Sequence, residues 1–457
     1  MNYRIKSIFA AVAMLGCCSA FAAVSAEEAK KLGTTLTPWG AEKAGNKEGT
    51  ITAYQPLAAP PASYNPAKPG ILPDPFANEK PLLSIDAKNM AQHADKLTEG
   101  VKAMLAKYPT FRVDVYPTHR ISPYPKSFQD ASIANGTSCK LVGENIEGCG
   151  AGLPFPIPKN GEEAMYNKLM GFQGIAYLER SGSYLVDASG KVTLMAFNDF
   201  YNDPTVYSQP NLKNNKERMF FNIRVDTDEP ARAAGERLLM KCPIDLSDGC
   251  KFWQYLPGQR RVKLSPDLAY DTPNPQSGGS SGMDDAHGFL GRLDRFDFKL
   301  IGKKEMFIPV NSYKLAAQEG ECADEAKVIL KNHLNPNCTR WELRRTWVVE
   351  GTLKAGKRHI YAKRILYMDE DSYNAGVYDN YDSAGKIYRV ALEFGIPGYN
   401  DKSLGTFAQF YMTADLQTGV YGFFHYPSAK YGGYFPIPVK APAREFTPEA
   451  LGGGGVR

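Results

Sequence analysis

The chain has 457 residues, of which 43% are hydrophobic and 12% are aromatic, a composition too apolar for an intrinsically disordered protein. Its formal net charge is +5 and it has no basic tracts, so composition gives no support to nucleic-acid binding. The only long apolar run in the sequence lies at residues 8–22, which excludes a protein with many membrane-spanning helices.

Residues 1–26 have the pattern of a secretory signal peptide. Arg4 and Lys6 precede the apolar run, and the small residues Val24 and Ala26 stand at the −3 and −1 positions of a cleavage site. The alternative is a lipoprotein signal in which Cys17 is acylated. Either signal predicts a periplasmic protein, and association with the outer membrane is compatible with both.

Six further cysteines fall into close pairs. The pairs are Cys139 with Cys149, Cys242 with Cys250, and Cys322 with Cys338. Six cysteines allow fifteen connectivities, of which this clustering favours the nearest-neighbour one. A metal site is the alternative, but no C-x-x-C spacing occurs and no histidine stands at ligand spacing. We therefore predict three structural disulfides, formed in an oxidising compartment.

The N-terminal third of the mature chain contains an arm and two of the three predicted helices. Residues 27–84 are rich in proline and glycine and predict an extended arm over the surface. Apolar residues at 3.6 spacing predict a helix near 86–107, and Asn160 with Glu163 predicts a capped helix near 161–171. A third helix is predicted near 229–240, with Pro230 in its first turn. Residues 85–457 are predicted to form a single domain.

Most of the remaining chain alternates between apolar and polar residues, which is the pattern of antiparallel strands with one apolar face. The apolar positions that we predict to face a ligand cavity are Met219, Phe221, Ile223, Val225, Trp341, Leu343, Trp347, Val349, Tyr388, Val390, Leu392 and Phe394. In the segment around Trp341 the polar residues are predicted to take the opposite face: Glu342, Arg344, Thr346 and Glu350.

Three helices cannot cover so much sheet. A wide apolar sheet face must close, form a sandwich or curl around something. We therefore predict a mainly β (α+β) fold: a large curved antiparallel sheet forming an incomplete β-barrel, with a few helices in its mouth. Such a shape leaves an apolar cavity suited to a lipid or another hydrophobic ligand.

Catalytic and metal-binding motifs are scarce in this sequence. It contains no H-E-x-x-H, no G-x-S-x-G that precedes a helix and no phosphate-binding loop. The loop that most resembles a site contains Asp284, Asp285 and His287, whose carboxylates and imidazole are suitable ligands for a divalent metal. A metal-dependent enzyme at this loop is therefore an alternative, although Asp284 and Asp285 can also simply cap the next element. We predict no cofactor.

Several strings of the chain resemble the bacterial secreted family called domain of unknown function 1329. They are 36–50 (LTPWGAEKAGNKEGT), 93–100 (HADKLTEG), 109–120 (PTFRVDVYPTHR), 155–161 (FPIPKNG), 255–261 (YLPGQRR), 294–297 (DRFD), 302–306 (GKKEM) and 356–364 (GKRHIYAKR). The resemblance spans the mature chain. That family is similar to the outer-membrane lipoprotein-sorting carriers, which implies an incomplete antiparallel barrel whose cavity, covered by helices, holds acyl chains.

The resemblance also implies a role beside envelope exporters of the resistance-nodulation-division type. We therefore predict a periplasmic, non-enzymatic protein that binds a hydrophobic small molecule or lipid and acts in envelope transport. Its expected partners are an inner-membrane exporter or an outer-membrane protein, and not a nucleic acid. A structural or adaptor protein with a filled core is the second alternative.

Overall fold

The computed structural model describes residues 24–57, 59–266, 268–399 and 407–453. The predicted signal peptide, including Cys17, lies outside these residues except for positions 24–26. Within the described ranges, no helix is long and apolar enough to cross a membrane.

The described residues form eighteen strands, of which sixteen belong to one sheet. The strands are β1 Leu83–Ile85, β2 Val113–Tyr116, β3 Lys140–Val142, β4 Asn145–Glu147, β5 Tyr177–Val186, β6 Val192–Asn202, β7 Met219–Glu229, β8 Arg237–Pro243, β9 Lys251–Leu256, β10 Arg261–Leu264, β11 Phe296–Pro309, β12 Trp341–Leu353, β13 Lys363–Asp369, β14 Gly376–Tyr381, β15 Ile387–Pro397, β16 Phe407–Asp415, β17 Tyr421–Tyr426 and β18 Tyr434–Pro438. Only β3 and β4 stand apart, as a small hairpin.

The large sheet runs in the order β1-β2-β12-β13-β14-β15-β16-β17-β5-β6-β7-β8-β9-β10, with β11 paired to β12 and β18 paired to β5. All of these pairings are antiparallel except the short parallel contact between β2 and β12. The hydrogen-bonded path runs from β1 to β10 without closing among the described strands. The predicted fold class, a large open and mostly antiparallel sheet with few helices, is therefore confirmed.

One end of the sheet curls back on itself. Val310 follows β11 directly and forms an isolated bridge with Gly395 in β15, and the Asn311 N–H donates to the Gly395 carbonyl at 3.0 Å. In the sheet order β11 reaches β15 only through β12, β13 and β14. A direct bridge across these strands requires strong curvature, as the width of the apolar face predicts.

The helices of the described chain are few and short. They are α1 Ala26–Ala29, α2 Glu99–Lys107, α3 Lys126–Ser138, α4 Gly161–Leu169, α5 Thr205–Ser208, α6 Glu325–Val328 and α7 Pro448–Gly453. The 3-10 turns are 90–96, 246–248, 275–277, 283–288, 313–316, 321–323, 336–338, 429–431 and 443–446. Helix α4 begins where the sequence predicts it, and the Asn160 side chain accepts from the Glu163 N–H.

The predicted helix near 229–240 is wrong. Strand β7 continues to Glu229, a turn occupies 230–236, and Leu238 and Met240 lie in β8. Gly235 takes a left-handed φ of +83° in that turn. Cross-strand pairing on both sides of β8 outweighs the helical signal of this short segment, since β8 pairs with β7 and β9.

The predicted helix near 86–107 is divided into two pieces. A 3-10 turn covers 90–96, Leu97 is extended, and α2 begins at Glu99 after its cap Thr98, whose hydroxyl accepts from the Val101 N–H at 3.2 Å. A Ser or Thr cap satisfies a free N–H and starts a helix, so Thr98 restarts the helical course one residue after the break. Helix α3 is not among the predicted helices, because its apolar face is narrow.

Most of the polar face of β12 is buried. Glu342, Arg344 and Thr346 are each at most 2% exposed. Arg344 donates to Asp369 at 3.0 Å and to Asp371 at 2.7 Å. Burial raises the pKa of Asp369 to about 6. Alternation of apolar and polar residues identifies the two faces of the strand. It does not show which face is buried, because a face that carries a network of ion pairs can be buried as well as an apolar face.

The N-terminal arm, which extends to the start of β1, packs into the body of the protein. Trp39, Ile51 and Leu72 are at most 4% exposed, and the Trp39 ring lies 4.3 Å from that of Tyr124. The arm lacks long regular elements, as its composition predicts, but Trp39, Ile51 and Leu72 anchor it in the core.

All three predicted disulfides are present. They join Cys139 to Cys149, Cys242 to Cys250, and Cys322 to Cys338, and thus confirm the nearest-neighbour pairing.

Candidate functional site

A partly open cavity of about 410 Å³ lies between strands β6–β9 and the segment 268–290. Its sheet wall includes Phe200, Ile223, Val225, Leu238, Met240 and Phe252. Its other wall includes Leu268, Met283, Ala286 and Leu290. The two walls are therefore built from apolar side chains of separate parts of the chain.

Strand register explains why the sheet wall is apolar. Val225 in β7 pairs with Phe200 in β6 and with Leu238 in β8. One step along the strands, Ile223 pairs with Met240, and Met240 pairs in turn with Phe252. Successive side chains of a strand point to opposite faces, so positions two apart place both apolar rows on the same side of the sheet.

The mouth of the cavity is polar. The turn between β7 and β8 contributes Arg232, Ala233 and Glu236 to the lining. Arg232 donates to the Leu194 carbonyl at 2.8 Å, and burial raises the pKa of Glu236. This arrangement of an apolar interior and a charged rim is typical of a site for a ligand with a large apolar part.

Two histidines and a tyrosine lie together at the other end of the lining, which we call the floor. His287 comes from the 3-10 turn 283–288, His425 from β17 and Tyr411 from β16, and all three line the cavity. The His287 ring lies 5.0 Å from that of His425 and 5.1 Å from that of Tyr411. Both histidines have left-handed backbone, with φ of +50° for His287 and +59° for His425, a conformation that is uncommon outside glycine.

A buried ion pair lies directly beneath the floor. Lys168 Nζ and Glu393 Oε2 are 2.6 Å apart, and Tyr378 donates to the same carboxylate. Burial lowers the pKa of Lys168 and raises that of Glu393. The two charges compensate each other, so the layer beneath the floor is close to neutral.

His287 is held as a neutral imidazole. Burial, His425 and Lys168 together lower its pKa well below the usual value. Its Nδ1 lies 3.9 Å from Glu393 Oε1, which is too far for a hydrogen bond.

The adjacent aspartates do not join His287 in a metal site. Asp285 accepts from Arg364 at 2.8 Å and from the Tyr361 hydroxyl at 2.8 Å. Asp284 accepts from Arg364 at 3.2 Å and lies 3.0 Å from the His359 ring nitrogen. Arginine already neutralises these carboxylates, and the described chain holds no cluster of three or more side chains that could bind a metal. Among the described residues, these contacts give no support to a three-ligand metal site at residues 284–287.

The twelve predicted cavity residues are distributed over the cavity and the core. Ile223 and Val225 line the cavity, Phe221 lies behind the floor with its ring 6.0 Å from that of His287, and Met219 is half-buried at the start of β7. In the filled core on the side of the arm and α2 lie Trp341, Leu343, Val390, Leu392 and Phe394. Val349 lies in the second core with Trp347 packed against it, and Tyr388 contacts Tyr361.

Sequence reasoning misses several residues of this site. His425 and Tyr411 stand on neighbouring strands far from His287 in sequence, and no motif connects them. Met240 and Phe252 alternate with neighbours as strand residues do, but Met240 falls in the segment interpreted as a helix. Alternation in 237–243 is the signal that would have identified this wall.

Comparison with known proteins gives one family and several similar chains. The family model described as "Protein of unknown function (DUF1329)" matches residues 84–452. A Pseudomonas aeruginosa protein called "Uncharacterized protein PA3922" is 38% identical over 440 residues, which are 95% of each chain.

Two solved structures are similar to part of this chain. One is a DUF1329 family protein from Desulfovibrio piger, 13% identical with a TM-score of 0.40, which covers 61% of this chain and 91% of its own. The other is a putative outer membrane lipoprotein-sorting protein domain from Vibrio parahaemolyticus, 13% identical with a TM-score of 0.42, which covers 64% of this chain and 98% of its own.

Proposed function

We propose that this chain is an extracytoplasmic binding protein for a hydrophobic, lipid-like ligand. It belongs to the DUF1329 family, and it contains the apolar cavity described above. The observation that carries the proposal is the cavity itself. Its volume of about 410 Å³ lies within the range of roughly 300–1,000 Å³ that small-molecule sites occupy.

The same observation distinguishes this function from the adaptor alternative. An adaptor with a filled core needs no space between its sheet and the segment above it. Here Val225, Met240 and Leu290 face a common space that is partly open to solvent. Burial of apolar ligand surface against such walls contributes about 25 cal/mol for each Å² removed from water.

The proposed compartment is the periplasm. Three disulfides are typical of proteins that fold outside the reducing cytosol, and the pattern of residues 1–26 supports secretion. We further propose that the protein passes its ligand to or from an envelope exporter of the resistance-nodulation-division type, which is the role that the family resemblance implies.

We propose binding and not catalysis. The Glu393 carboxylate closest to His287 is already engaged by Lys168 and Tyr378. His287 therefore lacks the oriented hydrogen bond to a carboxylate that supports a histidine general base. These contacts favour a binding role for His287.

Two neighbouring alanines allow a direct test. Ala233 lines the mouth, whereas Ala234 is exposed and does not line the cavity. We expect Ala233→Trp to weaken binding of the apolar fluorophore N-phenyl-1-naphthylamine at least tenfold by occupying the cavity, and Ala234→Trp to bind as the wild type does. Native mass spectrometry of protein purified from the periplasm should show bound apolar molecules only for the wild type and Ala234→Trp. Equal binding by all three proteins, or no binding by the wild type, would contradict the proposed function.

A further inference from the structure

The floor of the cavity differs in chemistry from its walls. The walls are mainly apolar, with polar side chains such as Thr227 and Gln254 among them, whereas the floor combines His287, His425 and Tyr411. Polar groups placed at one end of an apolar site fix the orientation of a ligand and select its polar part. The floor therefore carries information on which apolar molecules the cavity accepts.

The two floor histidines differ in their hydrogen bonds. His425 is engaged, because its Nδ1 bonds to Glu179, and Glu179 also accepts from Ser181 at 2.8 Å. His287 Nδ1 and Glu393 Oε1 are both buried and have no hydrogen-bond partner within the described residues. A buried hydrogen bond contributes about 0.5–1.5 kcal/mol, so a ligand group that bonds to the part of the His287 imidazole that lines the cavity gains more than one that only fills space.

The charges around the floor determine which ligand group is suitable. Next to His287 lie the Lys168–Glu393 pair, whose charges neutralise each other, and His425, whose Nδ1 is bonded to Glu179. An anionic group would be desolvated here without a free positive charge to compensate it, and a cation would meet the Lys168 ammonium. The floor therefore favours an uncharged group.

The geometry points to an apolar alcohol as the ligand class, with its hydroxyl group hydrogen-bonded to the His287 imidazole and its hydrocarbon part along the Ile223–Met240 wall. This inference rests on the proposed function and names its substrate class. A hydroxyl group both donates and accepts a hydrogen bond, and a neutral imidazole offers one donor and one acceptor. An alkane of the same length fills the cavity without satisfying the imidazole, and a carboxylate brings a charge.

The test compares three probes of the same length: 1-decanol, undecane and decanoate. Competition against N-phenyl-1-naphthylamine at pH 7.5 gives their affinities for the wild type, for His287→Phe and for the control His93→Phe, which alters a histidine outside the cavity. We expect the wild type and His93→Phe to bind 1-decanol about tenfold more tightly than undecane, the effect of about one hydrogen bond, and decanoate more weakly than 1-decanol. We expect His287→Phe to bind 1-decanol and undecane equally.

A second measurement does not depend on the folding of His287→Phe. In wild-type protein with ¹⁵N-labelled histidine, 1-decanol should shift the imidazole nitrogen resonances of His287, and undecane should leave them in place. Binding of both probes without preference or shift would overturn the alcohol assignment and leave the carrier function standing. Tightest binding of decanoate would overturn it in favour of an anion. Failure of all three probes to bind would remove both the assignment and the proposed function.

Discussion

Arg364 on β13 donates to Asp285 at 2.8 Å, and both side chains are at most 2% exposed. The same guanidinium also contacts Asp284 and lies over the Tyr361 ring at 4.8 Å. Because both aspartates belong to the 3-10 turn 283–288, this contact attaches the turn to the sheet. Two residues further along the chain the turn presents His287 to the cavity, so Arg364 positions the floor without lining it.

Replacing Arg364 with methionine should strongly destabilise the protein. The substitution leaves two carboxylates buried without their main partner, and breaking a buried ion pair on one side costs about 3–5 kcal/mol. The neighbouring change Lys363→Met removes a half-buried charge and should cost less than about 1 kcal/mol. Urea denaturation of the three proteins measures these changes in the free energy of unfolding. A cost below about 1 kcal/mol for Arg364→Met would mean that the turn is held by other contacts.

The neutral state of His287 predicts a pH dependence of stability. Its pKa is lowered in the folded state by burial, His425 and Lys168, whereas an unfolded histidine titrates near 6.5. Below that pH the unfolded state binds more protons, so stability is complete above about pH 6.5 and falls as the pH decreases. His287→Asn tolerates the left-handed backbone and cannot titrate.

We expect the stability of His287→Asn relative to the wild type to rise by about 1 kcal/mol for each pH unit below 6.5. Urea denaturation between pH 7.5 and 5.0 measures this difference. The other titratable groups that face this position are the same in both proteins: His425, Tyr411, Glu393 and Lys168. Their contribution to the pH dependence therefore cancels in the difference between the two proteins. Parallel pH profiles would mean that His287 is protonated as readily in the folded state as in the unfolded state.

The sheet could be predicted from sequence because period-two alternation is a local property. The residues of β7 and β12 alternate clearly, and the width of the apolar faces indicates curvature. Which face of a strand meets a cavity depends on what packs above it, and this is not local. β12 is covered on both sides, by apolar core on one and by the Arg344–Asp371 network on the other, so alternation in Trp341 and Leu343 carries no information about a ligand.

The floor could not be predicted because its members are brought together only by tertiary structure. Asp284, Asp285 and His287 are neighbours in sequence and suggest one cluster. In the fold the aspartates meet Arg364 and the histidine meets His425 from β17, because the left-handed φ of His287 directs the chain away from the ion pair. Residue types and spacing therefore suggest a metal site where the structure has an anchor and a cavity floor.

The disulfide between Cys322 and Cys338 should stabilise the protein measurably. It closes a loop with a sequence separation of 16, for which the lost entropy of the unfolded chain corresponds to about 3 kcal/mol. The double variant Cys322→Ala/Cys338→Ala should lower the free energy of unfolding by about that amount, as measured by urea denaturation. Reducing agent should then lower the melting temperature of the double variant less than that of the wild type. Unchanged stability of the variant would mean that the loop is already ordered in the unfolded chain.

Asp379 predicts a pH dependence of the opposite sign. Its carboxylate accepts from the Thr98 hydroxyl and the Gly100 N–H, each at 3.0 Å, yet burial outweighs these bonds and raises its pKa to about 7. An unfolded aspartate titrates near 3.9, so between about pH 4 and 7 the folded state binds more protons, and stability falls as the pH rises. Asp379→Asn cannot titrate. The amide NH₂ group that replaces one carboxylate oxygen cannot accept a hydrogen bond from one of the two donors. We expect this lost bond to lower the stability equally at every pH.

The slope, and not the absolute stability, therefore tests the role of Asp379. Relative to the wild type, Asp379→Asn should gain about 1.4 kcal/mol for each pH unit between 5 and 7, because only the wild type has a carboxyl that stays protonated in the folded state while the unfolded chain ionises. The exposed control Asp95→Asn should run parallel to the wild type, since Asp95 lies at the surface. Urea denaturation at pH 5, 6, 7 and 8 measures all three proteins. A constant difference between Asp379→Asn and the wild type across this range would show that Asp379 stays ionised despite its burial, and the bonds from Thr98 and Gly100 would then be the stronger effect.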